Sequence, residues 1–209
     1  IDITLFASAI EGTKSEWGEL PNKTDLAKAI SEFSGADTSN MRNGYSDYSS
    51  LSGEIQVFHC QRENVRWDYD LHKSYIYFQI GILLVAIVAM VVTMFIVNPD
   101  FIKLVCILSW LTPLVEYTYS VCKEICESIS LLKKIDAFCD QIENKLSEEN
   151  NVSVKQELIA LQYKIRERRE NGFLIPDWFY KMRKGKQQKQ EDCIAETIVN
   201  LSQENGEHR

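Results

Sequence analysis

The sequence predicts an all-α membrane protein in which a transmembrane helical hairpin carries cytoplasmic helical extensions. The first observation is the uncharged run 75–97, which at about 1.5 Å per residue is long enough to cross the ~30 Å hydrocarbon core. The second is another, weaker apolar run at 101–122, which follows the turn Asn98-Pro99-Asp100. The third is a three- and four-residue spacing of apolar side chains after residue 122, which is typical of amphipathic helices.

The average composition hides this organisation. The chain has 209 residues, a net charge of -7 and a hydrophobic fraction of 45%, values that resemble those of a soluble protein. Apolar residues are nevertheless concentrated in the hairpin, and the flanking segments are strongly polar. An acidic balance without a dense basic stripe argues against nucleic acid as a partner.

The sequence offers few residues for chemistry. It contains no Gly-rich phosphate loop, no nucleophile elbow and no ligand pairs at zinc spacing, and the nearest ligand cluster is His59-Cys60 with His72. Glu63 and Asp68 do not share a helix face well, which disfavours acid-base catalysis by paired carboxylates. The six cysteines are scattered, so we expect reduced thiols. We therefore expect no enzyme activity, no cofactor and no metal.

The segment 1–53 is predicted to be a cytoplasmic N-terminal segment. It contains one short helix at 23–33, which Thr24 or Asp25 could cap. Small polar and turn-forming residues dominate 34–53, which we interpret as a surface loop. A polar linker is the preferred interpretation of this loop, and a ligand-binding loop is the alternative.

Residues 54–74 are predicted to form a cytoplasmic helix that continues without a breaker into the first membrane span. Polar side chains recur along it one turn apart, a spacing that permits ion pairs with neighbouring helices. We expect Arg62, Glu63 and Asp68 to hold this helix in one register against the amphipathic arm at 125–146.

The hairpin itself, 75–122, has basic residues on one side only. They are Arg62, Arg66, Lys73, Lys123, Lys133 and Lys134. The short turn between the spans carries none, so the positive-inside rule places both flanks in the cytoplasm and the turn outside. A buried helix of a large soluble domain is the alternative, and the length and lack of charge of 75–97 argue against it.

One face of the second span is polar. Ser109, Thr112, Glu116 and Ser120 follow one another at helical spacing and are the candidate pore-lining residues. Lipid would penalise this face, so we expect it to look toward other helices or a water-filled path. Packing around a protonated Glu116 and lining of a pore are equally good interpretations. Pro113 predicts a kink that either arrangement could use.

The segment 123–171 is predicted to form two cytoplasmic amphipathic arms. Apolar residues recur along the first from Ile125 to Leu146, and along the second at Val154, Leu158, Leu161 and Ile165. The two arms should form a helical hairpin or part of an oligomeric coiled coil. The basic run at 164–169 is interpreted as a solvated helix end closed by Gly172.

The C-terminal part divides in two. Residues 172–186 form an aromatic docking segment that is too apolar to stay solvated, so it should pack on a partner surface or lie at the membrane face. Residues 187–209 are predicted to be a weakly ordered polar tail, with one amphipathic turn around Ile194, Ile198 and Leu201.

Several of these residues resemble a known family. Gln61-Arg62-Glu63-Asn64 and Trp67-Asp68 before the hairpin, and Ile175-Pro176-Asp177-Trp178-Phe179-Tyr180 after the arms, are similar to motifs of the SMODS-associated four-transmembrane effectors of bacteria. The stretch Trp17-Gly18-Glu19-Leu20-Pro21-Asn22 resembles that family less closely. The resemblance covers most of the chain to about Gly185. It implies a structural or regulatory role for the motifs that contain Pro176, Asp177 and Trp178 and those before the hairpin.

The resemblance also implies a function. Members of that family are pore-forming effectors of nucleotide-signalled antiphage systems, in which a cyclase partner makes a nucleotide second messenger and the effector compromises the bacterial inner membrane. We therefore expect a multi-pass inner-membrane protein whose partners are the lipid bilayer, further copies of itself and a cyclic nucleotide or nucleotide-cyclase system. The alternative is a membrane-anchored sensor or adaptor that forms no pore. The family has four membrane helices and this chain shows two, so we expect a first hairpin upstream of Ile1.

Overall fold

The computed structural model describes residues 45–51, 53–97, 100–148 and 153–207. They form four helices: α1 Gly53–Val97, α2 Phe101–Glu148, α3 Lys155–Asn171 and α4 Asp177–Glu207. The described part of the chain contains no strand, which confirms the predicted all-α fold. The predicted helix at 23–33 and the motif at 17–22 lie outside the described residues.

The two long helices continue from the membrane-spanning sequence into the polar flanks. Helix α1 has 45 residues, and α2 has 48 residues and passes through Pro113 without ending. At about 1.5 Å per residue, each helix is roughly 70 Å long, more than twice the thickness of the hydrocarbon core. Each therefore has one half available for a bilayer and one half outside it.

Both helices contain a window long and apolar enough to cross a membrane, and only 6% of each window is buried in the chain. A core helix of a soluble protein would be mostly buried. The windows pack against each other along narrow stripes, which on α1 contain the half-buried Leu83, Ala86, Ile87 and Met90. The outward faces are bare apolar surface, as shown by Phe95, 84% exposed, and Val85, 69% exposed.

The polar halves form a helical bundle with its own core. Val154, Leu158, Leu161 and Ile165, the four apolar residues predicted for the second arm, are all buried. They pack against buried residues of α1 and α2, namely Val57, Phe58, Val65, Leu132, Ile135, Cys139 and Ile142. The arms thus form a helical hairpin within one chain. All six cysteines are free.

A second core lies between this bundle and the apolar windows. It consists of Leu71, Tyr75, Val121, Ile125 and Phe179. Phe179 comes from the aromatic segment, and its ring centroid lies 5.0 Å from that of Tyr75. The aromatic segment is therefore docked on α1 of its own chain through Phe179, while its Leu174 and Trp178 stay exposed.

The C-terminal segment differs from its prediction. We expected a polar tail from residue 187, but α4 runs unbroken from Asp177 to Glu207, and the predicted boundary at 186 falls inside it. Helix α4 packs on α1 through the buried Gln187, Glu191 and Ala195. Two of these side chains are polar. Of the predicted amphipathic turn, Ile198 packs against the bundle core, whereas Leu201 is 53% exposed.

The predicted surface loop at 34–53 also requires correction in its described part. Tyr48 is 1% exposed and Ser46 is buried. The Tyr48 ring stacks on His59 of α1 at a centroid distance of 5.6 Å. Tyr48 and Ser46 therefore pack into the bundle through partners on α1 that local sequence does not reveal, whereas Asp47, Ser49 and Ser50 are exposed.

Candidate functional site

The α1 motif, Gln61 to Asn64 with Trp67 and Asp68, lies at the centre of the bundle. It occupies two turns of α1 on the approach to the membrane window, and its polar groups point in different directions around the helix. Together they contact the segment 45–51 and helices α2, α3 and α4.

Gln61 is fully buried and faces α3. Its Nε2 donates to the carbonyl oxygen of Leu158 and to Oε1 of Gln162, both at 3.1 Å. Arg62 faces α2 instead, where it pairs with Asp140 at 2.7 Å and with Glu143. This is the contact with the first arm that we expected for Arg62.

Glu63 and Asn64 face the segment 45–51. The Glu63 carboxylate accepts from the backbone N–H of Ser46 at 3.2 Å, and Asn64 donates to the Tyr45 hydroxyl at 2.8 Å. Burial raises the pKa of the Glu63 carboxyl. The prediction that Glu63 contacts the first arm is therefore wrong.

Asp68 contacts α3. Its Oδ2 accepts from Nη1 of Arg168 at 2.6 Å, so the expected contact of Asp68 with the first arm is also wrong. The Arg168 guanidinium lies against the His72 ring, with Nη2 2.7 Å from Nε2. That ring nitrogen is also 3.1 Å from the carbonyl oxygen of Phe173. Burial and the Arg168 charge lower the pKa of His72.

Arg168 was predicted to be part of a solvated helix end, but only 7% of its surface is exposed. The chain turns directly after it at Gly172. A Cβ at Gly172 would lie 2.5 Å from the Arg168 carbonyl oxygen, so glycine is required here by the close approach of the backbone. The helix end is packed because Asp68 and His72 supply the partners for its cation.

Helix α4 is bound to α1 by groups that the sequence alone did not single out. Arg66 pairs with the buried Glu191 at 2.8 Å, and Gln187 donates to the Trp67 carbonyl oxygen at 3.2 Å. The indole of Trp67 packs beside the Tyr180 ring. The four-residue spacing of the polar Gln187 and Glu191, together with Ile198, is the sequence pattern that indicates this face.

The second motif begins α4. The Pro176 carbonyl oxygen accepts from the backbone N–H groups of Phe179 and Tyr180, which starts the helix, and Asp177 lies in its first turn. An acidic residue at this position is favourable because the N-terminus carries partial positive charge. Trp178 packs edge-on against Phe78 of α1, with the ring centroids 5.3 Å apart.

The polar stripe of α2 points away from α1. Ser109, Thr112, Glu116 and Ser120 are all exposed, whereas the buried Thr118 and Val121 of the same helix face α1. The Ser109 hydroxyl donates to the Val105 carbonyl oxygen, so it remains within its own helix. No ion-pair partner of Glu116 is present within the residues that the structure describes. The hairpin alone does not cover this stripe.

Two clefts border Arg168. The larger, about 380 Å³, lies between α1, α3 and the connection to α4, and its charges balance because Asp68 and Asp177 accompany two arginines. The smaller, about 220 Å³, lies between α2 and α3 and is lined by Lys134 and Lys164. Among the described residues, no three His, Cys, Asp or Glu side chains are grouped to hold a metal ion.

The two apolar helices and the motifs around them belong to a known family domain. A family model described as the SMODS-associating 4TM effector domain matches residues 2–198, which include both apolar helices, the α1 motif and most of α4. No curated protein and no solved structure matches the chain. The chain therefore belongs to the SMODS-associating 4TM effector family, and it is a membrane effector associated with a SMODS nucleotide-signalling system in defence.

Proposed function

We propose that this protein is a pore-forming effector that permeabilises the bacterial inner membrane when its nucleotide-signalling system is activated. The observation that carries the proposal is the exposed polar stripe of α2, which points away from α1. Each copy would present this stripe to other membrane helices, and the protein would act as a homo-oligomer. The protein performs no catalytic step in this proposal.

Glu116 is the residue of the stripe that is least compatible with lipid. A charged carboxylate costs about 3 kcal/mol at the centre of a bilayer and less toward its edge, so a lipid-facing Glu116 inside the apolar window is penalised, and exposed hydroxyl groups add to the penalty. The cost is removed when the stripe faces water, other helices or both. A ring of copies with the stripes turned inward meets this requirement and places a carboxylate in the path of ions, which favours cations.

The cytoplasmic bundle supplies a rigid connection to this ring. Arg62, Asp68 and Arg66 each bind a different helix to α1, which continues directly into the membrane window. A change in the bundle on activation would therefore be transmitted along α1 without an intervening loop.

The experiment measures ion flux. Cells that express the full-length protein together with its nucleotide cyclase partner are stained with a membrane-potential dye, and phage infection activates the system. The parent protein should depolarise the membrane, whereas Glu116→Leu combined with Ser120→Ala should not. Val85→Leu, on the exposed face of α1, is the matched control and should behave like the parent. A membrane that stays polarised with the parent protein would identify an anchor or adaptor instead.

A further inference from the structure

We propose that the beginning of α4 and the connection before it bind the cytoplasmic surface of the bilayer, with apolar side chains in the interface and lysines on anionic phospholipid headgroups. This lipid-binding surface lies outside the polar stripe of α2. It rests on the membrane-spanning hairpin of the proposed function.

The level of this surface relative to the membrane follows from its contacts. Helix α4 runs antiparallel to α1: Phe179 packs beside Tyr75, Arg183 donates to the Ser74 hydroxyl at 2.9 Å, and Glu191 pairs with Arg66. The beginning of α4 thus lies where the apolar window of α1 starts, and its end lies far from the membrane. The ring contact of Trp178 with Phe78 places the indole within the first turn of that window.

The apolar part of the surface is exposed. Leu174 is 79% exposed, Met182 59% and Trp178 52%, although other aromatic rings of the same segment are packed. Trp178 and Met182 are four residues apart and share a face of α4. Trp178 packs on Phe78, and the same face of α1 continues into the exposed Ile82 and Val85. Because lipid covers that surface of α1, lipid should also cover the exposed face of α4 that continues it.

The charged part of the surface matches a bilayer better than it matches a second apolar protein face. Residues 178–190 contain Lys181, Arg183, Lys184, Lys186 and Lys189 and no acidic residue. Lys181 and Lys186 are exposed, and Lys73 and Lys123 lie at the ends of the apolar windows that face the bundle. Tryptophan and lysine together are the residues enriched at membrane interfaces near anionic lipids. Asp177, directly before this segment, is acidic, and it lies at the N-terminus of α4, where the helix dipole favours it. Glu124 is an exposed acidic neighbour of Lys123.

The test places nitroxide spin labels on the full-length protein reconstituted in vesicles of phosphatidylcholine with and without phosphatidylglycerol. Labels are attached to Trp178→Cys and, in a second variant that spares the ring contact, to Met182→Cys, in a background without native cysteines. Leu201→Cys is the matched control, since Leu201 is 53% exposed on the same helix and lies about 35 Å from Trp178. Phe95→Cys reports the hairpin itself. Collision with oxygen and with an aqueous nickel chelate is measured at each position.

We expect oxygen collisions to dominate at positions 178 and 182, as at 95, and nickel collisions to dominate at 201. Reversing the charge of Lys181 and Lys184 to Glu should shift positions 178 and 182 toward nickel in the phosphatidylglycerol vesicles, while the same reversal of Lys133 and Lys134 should not. Nickel-dominated collisions at both 178 and 182, or protection from both reagents, would overturn the proposal. If position 95 also collides mainly with nickel, the hairpin does not span and the proposed function fails as well.

Discussion

Asp68 on α1 and Arg168 on α3 form an ion pair at 2.6 Å, and the same guanidinium lies against the ring of His72 one turn further along α1. The side chains are 20% and 7% exposed. The pair joins the helix that enters the membrane to the helix that leads into the aromatic segment. It lies between the bundle core and the second core, which contains Leu71 and Phe179.

Removing one partner of this pair should destabilise the bundle. Asp68→Asn keeps the size of the side chain but leaves Arg168 as a buried cation, which costs about 3 kcal/mol. For a chain of this size, we expect the melting temperature in detergent to fall by about 6–12 °C. Glu170→Gln breaks the exposed pair with Arg166 on the same helix and should change the melting temperature by less than a third of that amount. Equal shifts for both variants would show that the Asp68–Arg168 pair is effectively solvated.

The contact between Arg66 and Glu191 should hold the distal half of α4 on α1. Glu191→Gln removes the charge from a buried, hydrogen-bonded pair, so amide hydrogen exchange in 188–203 should become about tenfold faster while α3 is unaffected. Glu196→Gln, an exposed position one turn further on, should leave the exchange unchanged. If the two variants exchange alike, packing at Ala195 holds α4 without the ion pair.

The pH dependence of stability should report the lowered pKa of His59. Burial lowers the pKa of His59 from 6.5 to about 4, so the folded chain binds fewer protons than the unfolded chain between these values. Stability is therefore present above about pH 6.5 and is lost as the pH falls toward 4. Thermal unfolding in detergent should show that His59→Phe loses less stability than the parent as the pH falls over this range.

The other buried groups remain in that variant and cancel in the comparison. The pKa of His72 is also lowered and acts in the same direction, whereas the raised pKa of Glu63 acts in the opposite direction. Parallel pH profiles for the parent and His59→Phe would contradict the low pKa of His59.

The amount of structure that could be predicted from sequence depended on whether the information was local. The spacing of Val154, Leu158, Leu161 and Ile165 reports one helix face, and all four are buried as predicted. The partners of Glu63 and Glu191 depend on which separate segments pack together, and the sequence of neither segment specifies this. Arg168 is the clearest case, since a basic helix end is normally solvated and becomes buried only because Asp68 and His72 face it.

The same distinction applies to the candidate pore residues. Helical spacing alone predicted that Ser109, Thr112, Glu116 and Ser120 share a face, and the structure adds that this face points away from α1. Burial of this polar face in the membrane requires other helices, which a single hairpin does not contain. Their role as pore lining stays a prediction.

The orientation of the hairpin in the membrane can be measured directly. Because the basic residues flank the hairpin on one side, the turn should be periplasmic and both flanks cytoplasmic. Asp100→Cys in a cysteine-free background should react with an impermeant thiol reagent in intact cells. Lys133→Cys, exposed on the bundle, should react only after lysis. The reverse pattern would invert the orientation.

The reversal potential of the full-length protein in planar bilayers under a salt gradient tests the pore most directly. Glu116→Gln keeps the size and hydrogen bonding of the side chain but removes its charge. If Glu116 lines the ion path, the parent should prefer cations and Glu116→Gln should shift the reversal potential toward zero without preventing assembly. Unchanged reversal potential and conductance would remove Glu116 from the path and contradict the account of how this hairpin conducts.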